Sequence, residues 1–113
     1  MSGITTHVLD TAKGRPGSGI KVILEFHNEG AWEEIASGQT NFDGRLTDLL
    51  TAAYHLTAGT YRLTFDTQSY YAANDEAGFY PHVTVSFEVK DPTQHYHVPL
   101  LLSPFGYSTY RGS

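Results

Sequence analysis

The stretch from Gly19 to Asn28, GIKVILEFHN, decides how the rest of the chain is read. Its even positions Ile20, Val22, Leu24 and Phe26 are apolar, while Lys21, Glu25 and His27 fall between them and only Ile23 breaks the alternation. A period of two marks a strand with one buried face, because successive side chains leave opposite sides of the pleat. The pattern returns in GTYRLTFDT, which sets Tyr61, Leu63 and Phe65 against Arg62, Thr64 and Asp66. It returns again in HVTVSFEV, where Val83, Val85, Phe87 and Val89 alternate with His82, Thr84, Ser86 and Glu88. AWEEIASGQT is a weaker strand, and the FDGR that follows carries an Asp-Gly turn signal. Segments 4–10, 95–102 and 106–111 complete a set of about seven or eight short strands. QSYYAANDEAG, rich in Ala, Tyr and Glu and without β-branched residues, predicts one helix of about two turns. Short strands separated by Gly, Pro and Asn turns predict an all-β antiparallel sandwich. At 113 residues the chain suffices for one domain, 1–113, with a single core.

Composition excludes several functions. Seven Lys plus Arg against twelve Asp plus Glu, with the basic residues scattered, argues against a nucleic-acid partner. Cysteine is absent, which removes disulfides, thiolate catalysis and Cys-based zinc sites. No apolar run reaches the roughly 20 residues of a membrane span, and MSGITTHVLD lacks a basic start followed by an apolar stretch. A cytoplasmic protein without a membrane partner is expected.

The alternation also sorts the histidines. In ITTHVLD, Ile4, Thr6 and Val8 share one face, so His7 lies on the other with Thr5 and Leu9. In HYHVPLLL, Tyr96, Val98, Leu100 and Leu102 form one face and His95, His97, Pro99 and Leu101 the other. Other strands turn charged residues outward, whereas these two turn out His with Thr, Leu and Pro. An uncharged, partly apolar outer face points to a ligand site or a subunit interface. His7 and His97 are therefore candidate functional residues. His27, His55 and His82 lie beside charges or turns and read as surface residues, and His95 stands between the two groups. Read alone, Arg45 is a solvated turn residue. His95 and His97, two apart on a strand, could join His7 on a zinc ion, but no carboxylate lies near the pair and that is the minor reading. The Tyr-rich, nearly uncharged last strand is poorly defended against edge pairing, so self-association is expected.

Three motifs together, ITTHVLDTAKGRPG, TNFDGR and HYHVPLLLSPFGYSTYRGS, resemble the transthyretin-related family, and specifically its enzymatic 5-hydroxyisourate hydrolase branch. The likeness spans essentially the whole chain, and the closing Tyr110, Arg111, Gly112 and Ser113 mark the hydrolase branch rather than the hormone carrier. The resemblance implies a transthyretin-like sandwich of two four-stranded sheets with one short helix, assembled as a homotetramer (a dimer of dimers) with sites between dimers. It implies that water opens a ring of 5-hydroxyisourate in urate catabolism, giving 2-oxo-4-hydroxy-4-carboxy-5-ureidoimidazoline, with no metal and no cofactor. By motif position the catalytic residues fall on His7, Arg45, His97 and Ser113. Tyr110, Arg111 and Gly112 are expected at the substrate, with Ser113 adding a hydroxyl and a carboxylate. A carrier of flat hydrophobic ligands is the alternative.

Imidazole suits the base role near neutral pH, since its unperturbed pKa is about 6.5. Two of them allow one to take a proton from water while the other orients it or protonates the leaving nitrogen. A planar guanidinium at Arg45 suits a flat, oxygen-rich substrate better than a lysine would.

Overall fold

The computed structural model describes residues 3–112. The elements run β1 (Ile4–Asp10), β2 (Arg15–Pro16), β3 (Lys21–Asn28), β4 (Ala31–Gln39), β5 (Arg45–Leu46), β6 (Gly59–Phe65), α1 (Thr67–Ala73), β7 (Val83–Val89), β8 (Tyr96–Ser103) and β9 (Gly106–Thr109). One sheet has the order β4-β3-β6-β7 and is antiparallel throughout. Its first hairpin closes through Glu29 and Gly30, both at positive φ (50° and 82°), so the two-residue turn follows the twist of its strands.

The second sheet has the order β2-β1-β8-β9, and β5 shares with β2 the outer edge of β1. Two fragments of two residues each therefore occupy the place of a fourth strand. The pairing of β1 with β8 is parallel, from Ile4 opposite Tyr96 to Asp10 opposite Leu102. That departs from the purely antiparallel sandwich the alternation suggests, since residue alternation is the same in either direction. Strands so far apart in sequence pair parallel because the intervening chain builds the other sheet and returns.

The inner faces meet as the patterns require. Ile20, Val22 and Leu24 of the second strand stretch, Tyr61, Leu63 and Phe65, and Val83 and Val89 are fully buried against Ile4, Val8, Leu100 and Leu102. Each such side chain contributes about 1.5–3 kcal/mol on leaving water. The helix begins where Asp66 accepts from the Ser69 amide at 3.1 Å and hydroxyl at 2.7 Å. At seven residues it is the helix of about two turns expected within 68–78, and just beyond its end Asp75 turns to φ 55°, off the helical path. Its buried face carries Tyr70, whose hydroxyl donates to the buried Asp10 carboxylate at 2.7 Å. Desolvation, then that carboxylate, pushes the Tyr70 hydroxyl up to about 12, so it remains a donor.

Candidate active site

The turn at Asn41–Arg45 shows how a local sequence builds one side of the site. Asn41 Oδ1 accepts from the amides of Asp43 and Arg45, both at 2.9 Å, and the Asn41 carbonyl accepts from the Gly44 amide at 2.8 Å. Gly44 sits at φ 75°, and a Cβ there would collide with the Val8 carbonyl. Glycine therefore permits the turn to lie against β1, where the Val8 amide donates to Gly44 O at 2.8 Å. The result is a register that sets Arg45 opposite His7. His7 Nε2 lies 3.1 Å from the Asp43 carbonyl oxygen, an atom that can only accept, so Nε2 carries the proton.

The other side comes from β8. Parallel pairing sets His97 opposite Thr5 and Pro99 opposite His7. Because Thr5 and His7 are two apart on β1, these residues and Arg45 share one outer face. The Thr5 hydroxyl lies 2.8 Å from His97 Nδ1 and 2.9 Å from His95 Nε2. Burial, and then the positive potential of His7, His95 and Arg45, holds the His97 imidazole below its ordinary range. Both effects favour the neutral imidazole.

The tail closes the arrangement. The Gly112 amide donates to the His97 carbonyl at 2.8 Å, pairing the two residues antiparallel. A Cβ on Gly112 would lie 2.5 Å from His97 Cδ2 and 3.2 Å from Pro99 Cγ, so the imidazole uses the space that glycine leaves. The Arg111 guanidinium rests 4.5 Å over the Tyr96 ring and donates to Gln94 Oε1 at 3.0 Å. Tyr96 and His97 leave opposite faces of β8, so Arg111 grips the far side of the sheet while Gly112 faces the imidazole.

The structure brings together His7, Arg45, His97 and Gly112. It places Tyr110 and Arg111 elsewhere, on a cleft of about 280 Å³ lined also by Phe87, Tyr96 and Val98. Ser113 lies outside the described residues. Thr5 is the member that sequence reading passed over: it shares the face with His7, but nothing in the sequence shows that its hydroxyl sits between two imidazoles. His27 instead packs on Trp32 at 4.9 Å, and His82 lines a depression of about 630 Å³ on the opposite sheet. Among the described residues, no group of three or more His, Cys, Asp or Glu is placed to hold a metal ion.

The family model described as HIUase/Transthyretin family matches residues 4–112. The chain belongs to this family. It is 46% identical to a 5-hydroxyisourate hydrolase of Mus musculus over 114 residues, covering 99% of this chain and 96% of the relative. A Pseudomonas aeruginosa 5-hydroxyisourate hydrolase is 43% identical over 117 residues, covering 100% of this chain and 93% of the relative. Among solved structures, that of the Klebsiella pneumoniae 5-hydroxyisourate hydrolase superposes with a TM-score of 0.84 at 38% identity, covering 99% of this chain and 100% of that one. Sea bream transthyretin in complex with thyroxine superposes with a TM-score of 0.90 at 32% identity, over 98% and 95%. The fold is therefore transthyretin-like, and backbone shape does not separate the enzymatic from the carrier members of the HIUase/transthyretin family. The side chains on the outer face of β1 and β8 have to do so.

Proposed function

We propose that the chain is a 5-hydroxyisourate hydrolase that opens a ring of its substrate in urate degradation, yielding 2-oxo-4-hydroxy-4-carboxy-5-ureidoimidazoline. The observation that carries this reading is the desolvated His97, its neutral form favoured, on one face with His7 and Arg45. His97 takes a proton from water as the oxygen attacks a ring carbonyl carbon. Arg45 holds the oxygen-rich substrate and the oxyanion that forms there. As the carbon–nitrogen bond breaks, the proton that His97 took from water passes to the departing nitrogen, while His7, its Nε2–H held on the Asp43 carbonyl, orients the attacking water. Base, acid and oxyanion contact thus come from side chains, and no step calls for a metal or cofactor. Ser113 is proposed as a further polar group of the site, by its place in the closing motif alone. Tyr110 and Arg111 hold the tail that carries it.

We further propose a homotetramer acting in the cytoplasm, with each site completed by a second copy. Three exposed aromatic side chains support association: Phe42 at 83%, Phe105 at 78% and Phe79 at 68% exposure. The edges at β7 and β9 support it too, as each pairs on one side only among the described residues. Phe42 tops the turn that presents Arg45, so a covering copy would also dry the site.

The carrier alternative accounts for the sandwich but leaves Arg45, His7 and His97 without a task. The test is the decay of freshly generated 5-hydroxyisourate, followed by absorbance with and without the protein. Faster decay that disappears in His97→Ala is expected. Decay at the spontaneous rate would overturn the reading.

A further inference from the structure

The Thr5 hydroxyl stands between two imidazoles. A hydroxyl has one proton to donate and two lone pairs that accept. Here it stands 2.8 Å from His97 Nδ1 and 2.9 Å from His95 Nε2, and Thr5 itself is only 3% exposed. With water held off, its single proton can serve only one imidazole, and the other must donate to it. The two rings are therefore coupled through one atom: at most one of them can accept from it.

We propose that Thr5 and His95 are positioning residues of the hydrolytic site, forming a directed chain in which His97 Nδ1–H donates to Thr5 Oγ1 and the Thr5 hydroxyl donates to His95 Nε2. The direction rests on the hydrolase reading, because a base at His97 needs one unprotonated ring nitrogen, and this chain leaves Nε2 as that nitrogen. The ring is then held from two sides. Thr5 fixes Nδ1, and Gly112 packs against Cδ2, the carbon bonded to Nε2. When Nε2 accepts a proton from water, the Nδ1–H bond to Thr5 becomes charge-assisted and strengthens. His95 sustains this by accepting from the same hydroxyl, so that Thr5 has no proton left with which to oppose Nδ1–H. Removing His95 would free that proton. Thr5 could then turn and donate to His97 Nδ1, moving the ring proton to Nε2 and silencing the base.

The tautomer can be read without substrate, from nitrogen chemical shifts of the wild-type protein labelled with ¹⁵N at histidine. Nδ1 of His97 is expected to be the protonated nitrogen and Nε2 the bare one. Thr5→Val, close in shape and suited to a buried strand position, is expected to lower kcat by about 10–100-fold, as losing the orienting partner of a functional histidine does, with KM unchanged. Thr5→Ser keeps the hydroxyl and is expected to restore both the tautomer and the rate, which separates a hydrogen-bonding role from a packing one. His95→Ala is expected to raise the Nε2-protonated population of His97. Finding Nε2–H in the wild type, or unchanged kcat and nitrogen shifts in Thr5→Val, would overturn the proposal. If the wild type fails to hydrolyse 5-hydroxyisourate, the hydrolase reading falls and with it the positioning role in hydrolysis, while the nitrogen shifts still decide the direction of the hydrogen-bond chain independently of turnover.

Discussion

The outer faces of the two sheets are built from the same alternation but carry opposite chemistry. Across β3 and β6, Arg62 pairs with Glu25 at 2.7 Å and lies 4.1 Å over the Trp32 ring, with Lys21, Glu34, Asp66 and His82 around the same depression. Charges there meet opposite charges and water. Across β1 and β8, the corresponding positions hold Thr5, His7, His95, His97 and Pro99, linked by a hydroxyl and a backbone carbonyl. The first arrangement satisfies its charges where they stand, whereas the second favours a neutral imidazole and leaves lone pairs uncommitted. A sheet face becomes reactive by what it declines to neutralise.

The largest effect separating the faces is expected from the histidines. His97→Ala or His7→Ala should lower kcat on 5-hydroxyisourate by about 10²–10⁴-fold, the cost of disabling a positioned acid or base. His27→Ala and His82→Ala on the other sheet should leave turnover near wild type. Equal losses from both pairs would erase the distinction between the faces.

Next in size is Gly112→Ala. The added methyl must displace the His97 ring, and misplacing a reacting group by about 1 Å can cost on the order of 10²-fold in rate. Steady-state kinetics beside a thermal melt would check this, with kcat falling while the melting temperature holds. A rate near wild type would mean that the ring has more room than its 2.5 Å clearance allows.

Arg45→Lys sharpens the comparison through binding. The charge stays but the fork is lost, and one charge-assisted hydrogen bond of about 1.5–3 kcal/mol corresponds to a KM raised about tenfold or more. On the charged face, Arg62→Ala should leave both kinetic constants unchanged and cost only about 1 kcal/mol of stability, read by urea unfolding, since partly exposed ion pairs at a surface contribute little.

The smallest effect lies in the pH profile. Because burial and neighbouring positive charge lower the His97 pKa, the acid limb of kcat/KM should fall below the ordinary imidazole value of about 6.5. Replacing Arg45 by Met removes one of those charges, favours protonation and should move the limb upward. The sign for stability follows. His97 binds a proton more readily when unfolded, so its contribution is present above the ordinary imidazole value and is lost as pH falls toward the lowered one.

Much of this was legible in the residues. Alternation in 19–28, 59–67 and 82–89 placed most core side chains correctly, with Phe26 and Phe87 only partly buried against the core, because burial of one face imposes a period of two whatever the partner strand. The same test put His7, His95 and His97 outward and noticed that no charge accompanied them. The TNFDGR motif could be read as a turn, since Asn and Gly have local reasons to be there. Arg45 reads locally as a solvated turn residue and is exposed in the structure; nothing local says which strand the turn rests against.

The sequence by itself determined the main strands, most of their buried faces and the family, since each depends on neighbours along the chain or on motifs contiguous in it. Only the tertiary structure decided that β1 runs parallel to β8, and everything at the site follows from that register. It sets Thr5 beside His97, His7 between Arg45 and Pro99, and Gly112 against an imidazole whose protonation the packing lowers. The reason is physical: hydrogen bonds of 2.8 and 2.9 Å between Thr5 and histidines 92 and 90 residues away, and the loss of water around them, arise only when distant strands meet. No local preference encodes them.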